Sequence, residues 1–422
     1  MKKLEFQNHV FNLENFENVY NSSTYEYNLS RYKKLIEKFT NYYKTEKSDF
    51  YKINFFSAPG RTEICGNHTD HNNGRVLCGS IQNDIICAAV KTNNNFITIK
   101  SDNYDPIKID LDKLEAYKIP STSLGLVAGV CYYLKSKGYD IGGFEAYTTS
   151  NLPGGSGLSS SAAFEALIFT ILNYFYNDSK IDLVTGAKAS QYAENNFYMK
   201  PCGLMDQLGS IYGGLITIDF ENLDNPRIEK IQFDFEKNGY ALCIVNIGQS
   251  HSDLTDDYAN VRNDMSAISK HFGKTVLREI SADMLFEEIP NLRENDRAII
   301  RAYHYLNENK RVENLFGAFK NQDINKIIEI IKSSGYSSFN YLQNVYSNSN
   351  CKEQPASLGL YLAQMMLEED GAWRIHGGGF GGTIQCIVPL EKLEIFEKTM
   401  KKIFGNSSVI NIYIRNIGAC RI

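Results

Sequence analysis

The chain has 422 residues, 43% hydrophobic and 12% aromatic, with a formal net charge of −5. Its length exceeds what one growing core accommodates, so two domains are expected, and the acidic balance argues against a nucleic-acid or anionic-membrane partner. No run approaches the roughly 18 apolar residues of a membrane span, the first residues lack the apolar stretch of a secretory signal, and nine isolated cysteines without a CxxC pair suggest reduced thiols in a cytoplasmic protein.

In chain order, residues 1–50 are polar and aromatic, with a helix expected over 29–43 and no evident chemistry. INFFSAPG (53–60) reads as a short buried strand ended by Pro-Gly. It leads into GRTEICGNHTDHNNGRVLCGSI (60–81), a polar and charged stretch between two apolar strands. Strands are expected over 85–90 and 96–101, a helix over 124–136 and a strand over 144–149. NLPGGSGLSSSAA (151–163) follows, then helices over 159–176 and 183–197 and the glycine-bounded segment CGLMDQLGSIYGG (202–214). After a strand over 215–219 and a charged linker from about 221, a strand at 240–247 precedes several helices up to 370. Their apolar residues recur three and four apart, as in Ile327, Ile328 and Ile331, the period of a half-buried helix. A second glycine cluster, HGGGFGG (376–382), precedes a strand over 383–388, a helix over 390–403 and a strand over 408–415. This mixture of strand runs and helical runs predicts an α+β protein, divided into 1–221 and 222–422.

The loop at 153–157 packs a proline and three glycines before three serines and an apolar helical run. Glycines let backbone N–H groups turn inward, and a helix start offers unpaired donors and the positive end of its dipole, so such a loop can hold phosphate. The serines can cap the helix or offer a hydroxyl to Mg²⁺. A Ser/Gly-rich surface turn is the competing reading. Neither common nucleotide fingerprint applies. Gly273-Lys274-Thr275 has Ile268 where a P-loop requires glycine, and Gly154, Gly155 and Gly157 have the wrong spacing for GxGxxG.

Arg61, Glu63, Asn67, His68, Asp70 and His71 crowd into eleven residues. Such a cluster suits a polyol, whose hydroxyls each need a donor and an acceptor; a metal site and a purely structural turn are the alternatives. Asp206, in an apolar glycine-bounded frame, is a site acid or a helix N-cap, and Glu194 is a Mg²⁺ ligand or an exposed helical acid. Tyr258 could face a sugar or lie in the core.

Taken together, these stretches resemble the galactokinases of the GHMP kinase superfamily. APGRTEICGNHTDHNNG (58–74) is similar to GRxNxIGEHTDYNxG, LPGGSGLSSSAA (152–163) to PxGxGLSSSAA, CGLMDQ (202–207) to CGxMDQ, and HGGGFGG to TGGGFGG. The region from Tyr258 to Arg262 resembles EYxxRR, with Val261 in place of the first Arg. The resemblance spans about 55 to 390. It implies ATP-dependent phosphorylation of a sugar's anomeric hydroxyl, with the site in a cleft between two domains. Asp206 would be the catalytic carboxylate with Arg61 beside it, and Ser161 and Glu194 would hold Mg²⁺. Pro153, Gly154, Gly155, Ser156, Gly157, Leu158, Ser159, Ser160 and Ser161 would wrap the ATP phosphates, while Asn67, His68, Asp70, Gly203 and Tyr258 would face the sugar.

Departures bear on the substrate. Asn67 stands where the family carries Glu, His71 where it carries Tyr and His376 where it carries Thr, and the run SLGLVAGV (123–130) lacks the family's Trp. If position 67 reads the sugar's C6, an uncharged Asn no longer repels a 6-carboxylate, which leaves a galacturonate kinase open beside galactokinase. A non-catalytic sugar sensor is a third reading, against which Arg61, Ser161, Ala162 and Asp206 are all retained.

Overall fold

A computed structural model describes residues 3–6, 9–20, 24–154, 157–248, 255–348 and 352–422. A hairpin of β1 (Lys3–Phe6) and β2 (His9–Asn12) leads to α1 (Leu13–Val19) and α2 (Tyr25–Tyr43). Then come β3 (Asn54–Cys65), β4 (Arg75–Lys91), β5 (Phe96–Ser101), β6 (Ile107–Asp110), α3 (Ser123–Ser136), β7 (Phe144–Ser150), α4 (Ser160–Tyr176), α5 (Leu183–Asn196), α6 (Met205–Tyr212), β8 (Leu215–Asp219) and β9 (Arg227–Ile231). The remainder is β10 (Tyr240–Asn246), α7 (Thr255–His271), α8 (Ala282–Leu292), α9 (Asp296–Lys320), α10 (Ile324–Ser337), α11 (Pro355–Leu367), β11 (Ala372–Ile375), β12 (Thr383–Pro389), α12 (Leu393–Phe404), β13 (Val409–Ile412) and β14 (Cys420–Arg421). No described helix is long and apolar enough to cross a membrane.

The α+β expectation holds. One sheet runs β14-β3-β4-β7-β5-β6, with β8 added to β4 and β9 to β8; the other runs β11-β12-β10-β13. The 17-residue β4 serves two partners, pairing β7 over 85–91 and β8 over 75–79. Because β9 and β14 both join the first sheet, the division at 221/222 runs through the β8–β9 hairpin. The largest apolar core likewise draws on both sheets, joining Phe56, Ile97 and Leu167 to Leu242, Ile387 and Ile412.

Two features aim residues at the site. The strand expected over 53–60 continues to Cys65, with its register shifting between Pro59 and Arg61 and again between Glu63 and Cys65. Such bulges bend a strand, and Arg61 and Glu63 are buried residues of this bulged strand rather than loop residues. Helices α3 and α5 pack closely enough that a Cβ on Gly129 would lie 2.5 Å from the Ala193 Cα, which fixes the face of α5 that carries Glu194.

The N-terminal helices also support the site. α1 and α2 bury Phe16, Tyr32 and Phe39 against Phe55, Ile86 and Tyr147 of the first sheet. Beneath them Asp84, fully buried, accepts hydrogen bonds from Arg31 at 2.7 Å, Arg415 at 3.1 Å, Ser57 at 2.5 Å and Tyr20 at 2.5 Å. Burial works against its charge, but the two arginines and the hydroxyls outweigh burial and hold the carboxyl below its usual range. The Asp84 backbone N–H and C=O pair with Asn151, which starts the glycine loop.

Candidate active site

β3 carries Arg61 to the start of α6. Its Nε and Nη2 both reach Asp206 Oδ1, at 2.7 and 2.6 Å, and its Nη1 donates to the Gly157 carbonyl at 2.6 Å. Ser159 donates its hydroxyl to Asp206 Oδ2 at 2.5 Å. Asp206 is the second residue of α6, whose N-cap is Leu204, so it is not a cap. Burial pushes Asp206 up, yet Arg61, the Ser159 hydroxyl and the Lys200 ammonium together hold it below the ordinary carboxylate range. The group stays ionised at neutral pH.

The glycine loop is seated between Arg61 of β3 and the His376–Thr383 segment. The Arg61 N–H donates to the Leu158 carbonyl at 3.2 Å, and Ser159 turns through φ 56° into α4, leaving Ser160 and Ser161 in its first turn. Gly157 has φ 67°, and a Cβ there would meet Thr383 Oγ1 at 3.2 Å and His376 Nδ1 at 3.4 Å. His376, which replaces the family's Thr, in turn pairs its Nε2 with Thr62 Oγ1 at 3.0 Å. Gly154 has open space around its Cβ direction, whereas Gly155 and Ser156 lie outside the described residues.

Ser161 Oγ donates to Glu194 Oε1 at 3.1 Å. Glu194 is 2% exposed, not a solvated helical acid, and its Oε2 accepts from Gln207 at 2.9 Å. Lys200 Nζ lies 3.2 Å from the same Oε1. Fully buried Glu165 stands near this group, its carboxyl pushed well above the usual range by burial and by Glu194.

His68 and Tyr258 meet at the 376–382 turn, and Asp70 lies against Gly203. His68 (φ 58°) places Nε2 2.9 Å from the Gly378 carbonyl, which can only accept, so Nε2 carries the proton; burial lowers this imidazole's pKa and keeps it neutral. The Tyr258 hydroxyl donates to the Gly379 carbonyl at 3.0 Å, and its ring lies so close to Gly378 that a Cβ there would sit 2.3 Å from Cε1. A Cβ on Gly203 would fall 1.7 Å from Asp70 Oδ2. Burial, then Asp206 and Glu63, push Asp70 up to about 6. Among the described residues no group of three or more His, Cys, Asp or Glu could hold a metal, so the metal reading of His68, Asp70 and His71 has no support.

Asn67 is placed differently from expectation. It is fully buried, donates to Glu63 Oε1 at 3.1 Å and the Gly377 carbonyl at 2.6 Å, and accepts from Asn344 at 2.7 Å and Ser338 at 3.4 Å. All four hydrogen-bonding positions of the amide are filled from within, so none is left for a sugar. The neighbouring Glu63 is neutralised by fully buried Arg374 at 2.6 Å.

Several supporting residues carry no motif. Glu308 on α9, fully buried, accepts from the Gly66 N–H at 3.1 Å, the Asn67 N–H at 3.4 Å, Cys65 Sγ at 3.3 Å, Ser334 at 2.5 Å and Arg311 at 2.7 Å. Burial opposes its charge, but His304, Arg311, Arg374 and the Ser334 hydroxyl outweigh it and bring it down to about 2. It thereby clamps the turn that carries His68 and Asp70. Nothing local in the α9 sequence marks it out.

An ionised Arg–Asp pair beside a glycine-rich helix start on an α+β scaffold fits the class of phosphoryl-transfer enzymes. The chain matches the GHMP kinases N terminal domain over residues 125–214 and the galactokinase galactose-binding signature over 37–91. It is 31% identical over 353 residues to the galactokinase of Glaesserella parasuis, covering 81% of this chain and 86% of that one. To the galactokinase of Clostridium tetani it is 30% identical over 367 residues, covering 83% and 90%. Lactococcus lactis galactokinase, solved with galactose, shares the fold at a TM-score of 0.77 and 23% identity over 92% of this chain and 98% of that one. Methanococcus jannaschii mevalonate kinase does so at 0.58 and 15% identity, over 85% and 98%. The chain belongs to the galactokinase family.

Proposed function

We propose that the protein transfers the terminal phosphoryl group of ATP to the anomeric hydroxyl of galactose, giving galactose 1-phosphate and ADP. The observation that carries this reading is the Arg61–Asp206 pair joined through Gly157 to the glycine loop. Asp206 accepts a hydrogen bond from the anomeric hydroxyl and takes its proton as the new O–P bond forms; its low basicity makes the transfer late and its orienting role large. Arg61 offsets charge on the transferred group. Pro153, Gly154, Gly155, Ser156, Gly157, Leu158, Ser159, Ser160 and Ser161, with the positive end of α4, hold the phosphates. The Ser161 hydroxyl and Glu194 carboxylate, 3.1 Å apart at a helix start, suit Mg²⁺, which takes few protein ligands and keeps water and phosphate oxygens. Bound there, the ion would neutralise charge between the outer phosphates.

On the sugar side, Asp70 is the acceptor, with His68, Gly203 and Tyr258 shaping the pocket. Residues 1–221 and 222–422 remain the proposed halves, the first carrying Arg61, the glycine loop and Asp206, the second Tyr258 and the 376–382 turn. Buried Asn67 removes the argument for galacturonate, and the full set of Arg61, Ser161 and Asp206 favours an enzyme over a sensor. A panel of galactose, galacturonate, glucose and N-acetylgalactosamine with ATP tests this. Galactose should give the highest kcat/KM, and turnover of galacturonate alone, or of no sugar, would overturn the reading.

Two further outcomes are expected. Asp70 is charged above about 6 and protonated below it, so its acceptor strength is lost as pH falls. KM for galactose should rise about tenfold from pH 7 to pH 5, with kcat little changed, and Asp70→Asn should flatten that profile. Gly203→Ala pushes a methyl into Asp70 and should raise KM for galactose by more than tenfold while ATP affinity stays put. An unchanged KM would remove Asp70 from the sugar pocket.

A further inference from the structure

We propose that Lys200 is a phosphate-contacting cation of this site, resting on Glu194 in the absence of nucleotide and passing to the terminal phosphate when ATP binds. The proposal rests on the assignment of the glycine loop to the ATP phosphates. Lys200 is tied twice to one residue: its backbone N–H donates to the Glu194 carbonyl at 3.0 Å, and its ammonium to Glu194 Oε1 at 3.2 Å. That oxygen also accepts from Ser161 Oγ at 3.1 Å, so the ammonium lies within two hydrogen-bond lengths of the hydroxyl at the head of α4. Met199 precedes it at φ 63°, a conformation L side chains rarely adopt, and Pro201 follows. This tight turn brings the lysine back over α5.

Burial and charge point the same way. The Lys200 side chain is 64% exposed whereas the Glu194 carboxylate beneath it is 2% exposed, so the ammonium sits on the open side of the pair. Arg61 is matched by Asp206, and Glu194 is matched by Lys200. Without Lys200, the phosphate end would present a net negative charge to a polyanion. Once Ser161 and Glu194 are engaged by Mg²⁺, the ammonium loses its partner, and the triphosphate is the nearest anion for a point charge on a long stem. Its field already reaches Asp206 and Tyr258.

The test uses Lys200→Met, which keeps the stem and removes the charge, and Lys200→Arg, which keeps the charge. Calorimetry on the full chain should show Lys200→Met weakening MgATP by about tenfold or more, the size of one charge-assisted hydrogen bond, with MgADP within threefold of wild type. Lys200→Arg should recover most of the MgATP affinity, and retained MgADP binding shows that the methionine variant is folded. Wild-type MgATP affinity in Lys200→Met, or equal weakening of both nucleotides, overturns the assignment to the terminal phosphate. Ser161→Ala separates the two layers of argument: if it too leaves MgATP affinity unchanged, the phosphate-loop assignment falls and Lys200's part falls with it.

Discussion

Asp206→Asn is expected to lower kcat by about 10²–10⁴-fold while MgATP still binds. The amide keeps the shape and one acceptor for Arg61 but cannot take the proton of the attacking hydroxyl. It also leaves Arg61, 5% exposed, without the carboxylate that both Nε and Nη2 address. Retention of more than about a tenth of wild-type turnover would remove the catalytic role from this residue. The pH profile separates the two acids of the site. Asp206 is held below the ordinary carboxylate range, so kcat at saturating galactose should hold through pH 5, where KM has already risen through Asp70.

Glu308→Ala is expected to lower unfolding stability by about 3–5 kcal/mol, the usual consequence of removing one partner from a buried charged network. The Gly66 and Asn67 N–H groups, the Ser334 hydroxyl and Arg311 would all lose their acceptor. KM for galactose should rise in the same variant, since the turn that positions His68 and Asp70 loses its clamp. Glu308 titrates at about 2 in the folded chain, below its ordinary 4.5, so its stabilisation is complete above that ordinary value and is lost as pH falls through about 2. Urea unfolding reads the first effect and sugar-dependent kinetics the second; an alanine variant as stable as wild type would show the network carries no stability.

Much of the catalytic centre is legible in the sequence because its parts are stretches whose composition makes poor structural sense otherwise: a Gly/Ser-dense loop, an acid framed by glycines, and polar residues between apolar strands. The fold brings Arg61, Gly157, Asp206 and His376 into one neighbourhood, as those stretches imply. What escapes the sequence depends on distant partners. Asn67 reads as a ligand-facing amide until Asn344, 277 positions away, is found filling its acceptor. Glu308 looks like any polar position on an amphipathic helix. β3 seems to end at Pro59-Gly60 because that pair reads as a turn signal, whereas the strand runs through it with a shift of register. The N-terminal helices offer no motif, yet Arg31 reaches Asp84 and, through it, Asn151.

The closing of the first sheet has a consequence for how the protein is made. Asp84 shares its buried pocket with Arg415, 331 residues later, and β14 pairs with β3, the strand bearing Arg61. At a synthesis rate of about 5–20 residues per second, roughly 20–60 seconds separate the appearance of that aspartate on the ribosome from the appearance of its second arginine. Throughout that interval the edge of β3 is open and one of the buried charge's partners is missing. The sheet that holds Arg61 therefore gains the β14 edge only after β4 to β13 have been synthesised, and until then that side of β3 has no strand partner.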